Sequence, residues 1–73
     1  MVDKQIKKRI YTKRQKKLLA LVSGNKCRIC GVILSDNFEG DHIIPFSKKG
    51  MTTLTNGQAL CFDCNRKKGD KIL

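Results

Sequence analysis

Cys27-Arg28-Ile29-Cys30 and Cys61-Phe62-Asp63-Cys64 are two C-x-x-C units with 30 residues between them. Each unit lets two thiolates point to one side of a tight turn, and two such units complete the closed tetrahedral shell that Zn²⁺ takes in structural sites. Gly31 directly follows the first unit and allows the turn that brings backbone amides towards the sulfurs. A simple ribbon or treble clef separates its cysteine pairs by about 15–20 residues, so something has been inserted here. Two other readings of the cysteines compete with zinc, a redox dithiol and disulfides. A thioredoxin-like dithiol needs a βαβ context that this short chain does not supply. Disulfides need an oxidising compartment, and the start Met1-Val2-Asp3-Lys4 shows no apolar segment followed by a small-residue cleavage site. Structural zinc on Cys27, Cys30, Cys61 and Cys64 is expected, in a reducing, cytoplasmic setting. With four thiolates on one ion, no open coordination position is expected there.

The chain has 73 residues. A core this small hardly offsets roughly 1.5 kcal/mol of conformational entropy per ordered residue without a cross-link, which the metal would supply. Sixteen Lys and Arg stand against six Asp and Glu, a formal charge of +10. Residues 1–26 hold nine basic side chains against Asp3 alone, a net of +8, while residues 27–73 carry only +2. The expected organisation is therefore a basic N-terminal arm and helix over residues 1–26 and a zinc-bearing domain over residues 27–73. A dense basic arm suits a phosphate backbone, because each neutralised phosphate releases counterions; a solvated, solubility-raising helix is the plain alternative. No apolar run approaches the ~18 residues of a membrane span, the longest being residues 18–22.

Thr12-Lys13-Arg14-Gln15 fits a capping box and predicts a helix start. Leu18, Leu21 and Val22 fall at i, i+3 and i+4 and predict the apolar stripe of that helix. Gly24 and Asn25 supply a left-handed stop. Upstream, Ile6, Ile10 and Tyr11 sit among five basic residues within ten positions, which predicts a frayed or disordered stretch. After residue 26 the texture changes to short apolar groups broken by Gly, Asn, Asp and Ser. Strands are predicted over 32–34, 39–44 and 59–60, a loop over 45–55, and a last helix over 62–68 ended by Gly69. The fold class is small α+β.

Between the cysteine pairs lie Gly40-Asp41-His42-Ile43-Ile44-Pro45 and Leu54-Thr55-Asn56-Gly57-Gln58-Ala59-Leu60; the second pair runs on into Asn65-Arg66-Lys67-Lys68-Gly69. His42 is the one histidine in the chain and the ready candidate for a general base near neutral pH. Phosphodiester hydrolysis also needs a cation for the developing charge, and Asp41 is adjacent to His42. Neighbours on a strand face opposite ways, so joint work on one phosphate demands a bulge, a twist or a strand end at this point. Taken singly, a His beside an Asp is usually a surface pair, Asn-Gly a turn and Cys-Asn a helix cap.

Taken together, these stretches resemble the HNH endonuclease family, the ββα-metal nucleases, in its zinc-stapled form. The resemblance covers residues 27–70 and has four elements in the family's order: the first cysteine pair, the Asp-His-Ile-Ile-Pro strand, an Asn five residues before the second pair, and Cys-Asn-x-x-Lys-Gly. It implies a ββα-metal motif inserted between two zinc knuckles and preceded by the basic helix. It also implies a metal-dependent DNA endonuclease in which His42 is the general base, Asn56 orients the His42 ring, and Asp41 with Asn65 holds a catalytic divalent cation that stabilises the leaving 3′ oxygen. Asn65 stands where many members carry a last histidine, and an amide oxygen favours Mg²⁺ or Mn²⁺ over Zn²⁺ or Ni²⁺. Arg66, Lys67, Lys68, Lys48 and Lys49, with Lys13, Arg14 and Lys17 of the helix, are the expected DNA-phosphate contacts. The expected partner is double-stranded DNA and no membrane; a homodimer making paired nicks and an added specificity domain both stay open. The competing reading is a catalytically inactive zinc-knuckle module that binds nucleic acid. It accounts for the charge and the cysteines but not for Asp41, His42, Asn56 and Asn65 falling together.

Overall fold

The computed structural model describes residues 10–73, so the expectations for Ile6 and for Lys4, Lys7, Lys8 and Arg9 lie outside the described residues. Within them the chain forms α1 (Lys13–Val22), β1 (Glu39–His42), a 3₁₀ turn (Phe46–Lys48), β2 (Gly57–Leu60) and α2 (Phe62–Lys68). This is a small α+β arrangement in which both helices pack against a two-stranded antiparallel sheet.

The capping box forms as predicted. Gln15 N donates to Thr12 Oγ1 at 3.1 Å, and Thr12 N donates to Gln15 Oε1 at 2.9 Å. The helix stops where Gly24 and Asn25 take φ of 69° and 63°, with Asn25 N donating to Ala20 O at 2.7 Å. The packed face differs from the predicted stripe. Leu19 and Ala20 are buried, while Leu21 and Val22 are 74% and 85% exposed. The reason lies across the interface, at Gly57 of β2. A Cβ there would lie 2.9 Å from Leu19 Cδ2 and 2.9 Å from Tyr11 Oη, so the missing side chain is the space that Leu19 and Tyr11 fill. Tyr11, predicted to fray, is 3% exposed, and its hydroxyl donates to Thr53 O at 2.7 Å.

In the sheet, Glu39 pairs with Leu60, Asp41 with Gln58 and His42 with Gly57. The strand predicted over 39–44 stops at His42, although Ile43 N still donates to Asn56 O at 2.9 Å. Residues 32–34 make a single bridge, Lys26 to Ile33, and of the three only Leu34 is buried. Beyond β1 the loop folds tightly back, and Gly50 N donates to Pro45 O at 2.9 Å. A Cβ on Gly50 would sit 1.7 Å from the Ile44 carbonyl oxygen, so this approach requires glycine. Cys61 caps α2, its sulfur accepting from Cys64 N at 3.4 Å, and Gly69 ends the helix at φ 56°. The core joins Tyr11, Leu19, Ala20, Leu34, Ala59 and Leu60 to Cys27, with Phe38, Cys61 and Cys64 packed against it. The cysteine cluster is thus continuous with the hydrophobic core. No described helix is long and apolar enough to cross a membrane.

Candidate functional site

All four cysteines are unbridged, and their sulfurs lie within 4.8 Å of one another. Cys30 Sγ and Cys61 Sγ are 3.8 Å apart, which is close to the ~3.8 Å edge of a tetrahedron with Zn–S bonds of about 2.3 Å. Gly31 at φ 80° makes the turn after the first pair, and Ile29 N donates to Cys27 Sγ at 3.4 Å. The donor set fits structural zinc. As free thiols the cluster would hold charge unevenly. Burial opposes the Cys27 thiolate, but amide hydrogen bonds from Cys30, Cys61 and Ile29 and the Cys30 thiol outweigh it and bring Cys27 down to about 6. Burial and the neighbouring thiols push Cys64 up to about 12.

α2 carries this frame to the insert. Cys61, Cys64, Asn65 and Lys68 fall at i, i+3, i+4 and i+7, one stripe of a helix. Lys68 belongs to this inward face. It is 1% exposed, its ammonium lies 3.0 Å from Asp41 Oδ2, and it donates to His42 O at 2.9 Å. That corrects its assignment as a phosphate contact: the buried ammonium is already spent on Asp41 and the β1 backbone. Arg66 and Lys67 fall off the stripe and are exposed. The side chain of Asn65 is half-buried and makes no hydrogen bond to the described residues.

Asp41 is itself buried. Gln58, its partner across the sheet, donates from Nε2 to the same Oδ2 at 3.1 Å. His42 lies on the other face of the strand, with its ring centroid 4.7 Å from that of Tyr11 and 5.9 Å from that of Phe46. Its Nε2 and Thr52 Oγ1 are 2.8 Å apart. Burial pushes the Tyr11 phenol up, so it stays protonated as a donor to Thr53. The demand for a strand end is met, since β1 terminates at His42. Asp41 and His42 there border one cleft of about 170 Å³ together with Phe46, Ser47, Lys68 and Asp70. Asn65 lies one helical turn before Lys68 and is not on the border of that cleft.

The side-chain bonds of Asn56 go to backbone. Its Oδ1 accepts from Ile44 N at 2.9 Å, and its Nδ2 donates to Ile44 O at 3.1 Å and to Met51 O at 2.9 Å. Asn56 therefore ties the residues that follow His42 to the loop that carries Thr52, and both amide hydrogens are used in doing so. Lys48 and Lys49, at the end of the 3₁₀ turn, are exposed, as are Lys13, Arg14 and Lys17 on α1. Lys13, Arg14, Lys16 and Lys17 line an open groove with Phe38, and Lys16 Nζ sits 5.0 Å above the Phe38 ring.

Composition and motif reading did not single out Tyr11, Thr52 or Gln58. Gln58 carried no signal of its own, because its pairing with Asp41 depends on the register of two strands joined by the long loop between His42 and Gly57. The family model described as HNH endonuclease matches residues 27–71, more than half of the chain. No curated protein and no solved structure matches it.

Proposed function

This chain belongs to the HNH endonuclease family, and on that premise we propose that it is a metal-dependent endonuclease that hydrolyses phosphodiester bonds of duplex DNA. The observation that carries the reading is the cleft at the end of β1, where a carboxylate and the one histidine of the chain meet from opposite faces of a strand. His42, whose Nε2 lies 2.8 Å from Thr52 Oγ1, is the general base and takes a proton from the attacking water on its imidazole ring. The hydroxide oxygen bonds to phosphorus as the P–O3′ bond breaks, and the departing 3′ oxygen takes a proton from solvent water, leaving a 5′-phosphate and a 3′-hydroxyl. Asp41 supplies a hard oxygen donor suited to Mg²⁺ or Mn²⁺ on the border of the cleft, and the family pattern, not the border of the cleft, adds the Asn65 amide oxygen as a second. A divalent cation held there would neutralise charge on the scissile phosphate and on the leaving 3′ oxygen.

The other groups serve this pair. Tyr11 and Phe46 limit the rotation of the His42 ring, and Asn56 fixes the backbone on either side of the loop. Exposed Arg66, Lys67, Lys48 and Lys49, with Lys13, Arg14 and Lys17 on α1, contact DNA phosphates. The zinc on the cysteines is structural and carries α2 into place.

End-group analysis of cleaved plasmid tests the proposal. Incubation with Mg²⁺ or Mn²⁺ should give nicks that DNA ligase reseals without prior end repair, and Asp41→Asn should abolish them. Nicks that ligase cannot close, or cleavage of equal rate by Asp41→Asn, would contradict it.

A further inference from the structure

Lys68 is the most buried charge among the described residues, at 1% exposed, on a chain whose other basic side chains are exposed or half-buried there. Its neighbours explain why it is tolerated. The ammonium donates to His42 O and pairs with Asp41 Oδ2, and Gln58 adds a second donor to that same oxygen. Burying an ammonium without such partners would be prohibitive. The consequence for Asp41 is asymmetric. Oδ2 is held by two donors, while Oδ1 accepts no hydrogen bond from the described residues. Every fully buried side-chain nitrogen or oxygen among those residues has a partner, so Oδ1 reaches solvent, and Asp41 borders the cleft shared with His42.

We propose that Lys68 is the positioning residue of the catalytic-metal site, a fixed internal cation that grips Asp41 by Oδ2, presents Oδ1 to the cleft and weakens the hold of that carboxylate on a free divalent cation. The inference rests on the reading of Asp41 as a metal ligand. An ammonium beside a carboxylate cancels much of its charge and repels a second cation nearby. A divalent ion is then held firmly only when a DNA phosphate adds its own charge to the shell, which ties metal loading to the presence of substrate. The same ammonium fixes the carbonyl of His42, so one side chain sets the spacing of the metal ligand and the base. Its own place is set by the zinc frame, since Lys68 follows Cys61 and Cys64 on one stripe of α2.

The test is Mn²⁺ binding to zinc-loaded protein without DNA, followed by the electron paramagnetic resonance signal of free Mn²⁺. Lys68→Met keeps the stem and removes the charge; it should bind Mn²⁺ about fivefold more tightly or better and nick DNA at least about tenfold more slowly at saturating metal. Lys68→Arg should keep Mn²⁺ affinity within about twofold, because the charge is retained. Asp41→Asn separates the two levels of the argument. If it binds Mn²⁺ as the parent does, the metal-site reading itself is wrong. If it loses binding while folded Lys68→Met, with one zinc per chain, shows unchanged or weaker affinity, the role of Lys68 alone is overturned. A measurement on the unaltered protein covers the case in which Lys68→Met fails to fold. With ¹⁵N-labelled lysine, one slowly exchanging ammonium should be seen by NMR and should persist when Mg²⁺ is saturating. Its release to solvent on Mg²⁺ binding would show displacement by the metal and overturn the proposal.

Discussion

Replacing Tyr11 probes whether a residue outside the family-matched segment 27–71 is built into the site. Its ring is 3% exposed and lies against the His42 ring at 4.7 Å, and its hydroxyl holds Thr53 O at 2.7 Å. Tyr11→Phe keeps the ring and deletes one hydrogen bond to a loop carbonyl, a loss of about 1 kcal/mol. In a domain of this size that lowers the melting temperature by roughly 4–8 °C. Tyr11→Ala also removes the ring and opens a cavity beside Leu19 and Gly57, and large aromatic deletions in cores cost about 3–5 kcal/mol. That is a large fraction of the 5–15 kcal/mol that stabilises a typical domain. Urea unfolding of zinc-loaded protein, followed by circular dichroism, reads both variants. Plasmid nicking reads the second consequence, since a His42 ring freed on one face should turn over about tenfold more slowly with DNA affinity unchanged. Unfolding of Tyr11→Ala within about 1 kcal/mol of the parent, together with nicking at the parent rate, would refute this role for Tyr11. That result would mean the segment before α1 neither packs on the sheet nor supports the histidine.

Four further outcomes follow from named residues. Chelation should abolish the cooperative unfolding transition, because binding free energy at such a zinc site is folding free energy. Acid should release the same zinc: thiolates are the ligands, so the slope of log zinc affinity against pH steepens by about one proton as pH falls through the Cys27 value of about 6, which competition with a chromophoric chelator measures. Gly50→Ala forces a methyl against the Ile44 carbonyl oxygen and should cost about 1–3 kcal/mol by urea unfolding, whereas Gly24→Ala meets no neighbouring atom and should show only the backbone penalty of a positive φ. Replacing Lys13, Arg14 and Lys17 together with alanine should lower the slope of log DNA affinity against log salt by up to about 0.9 per lost phosphate contact, read by fluorescence anisotropy across a salt series.

The features legible in the sequence are those set by neighbours in the chain. The capping box at Thr12 and Gln15, the left-handed stop at Gly24 and Asn25, and the cysteine turns are closed by contacts a few residues long. The misread features depend on distant partners. Tyr11 is ordered by a carbonyl 42 residues away, which no local count of charges reveals. Leu18, Leu21 and Val22 satisfy helical spacing, whereas the buried Leu19 and Ala20 are adjacent and show no such pattern. The space at Gly57, which Leu19 fills, lies on a distant strand that no local pattern reveals. Lys68 reads as one of a run of basic residues, yet its spacing from Cys61, Cys64 and Asn65 puts it on the inward stripe while Arg66 and Lys67 fall outside. For Asn56, the family resemblance implies a residue that orients the His42 ring, and its side-chain bonds reach the backbone of Ile44 and Met51.

The cleft at the end of β1 stands or falls as a catalytic site on His42. Supercoiled-plasmid nicking with Mg²⁺ or Mn²⁺, comparing the parent chain with His42→Ala after both are shown to retain one zinc, is the most direct measurement. The account predicts nicking by the parent and a loss of at least about a hundredfold without the base. Equal rates in the two proteins, or no cleavage by either with any of several divalent metals, would contradict it.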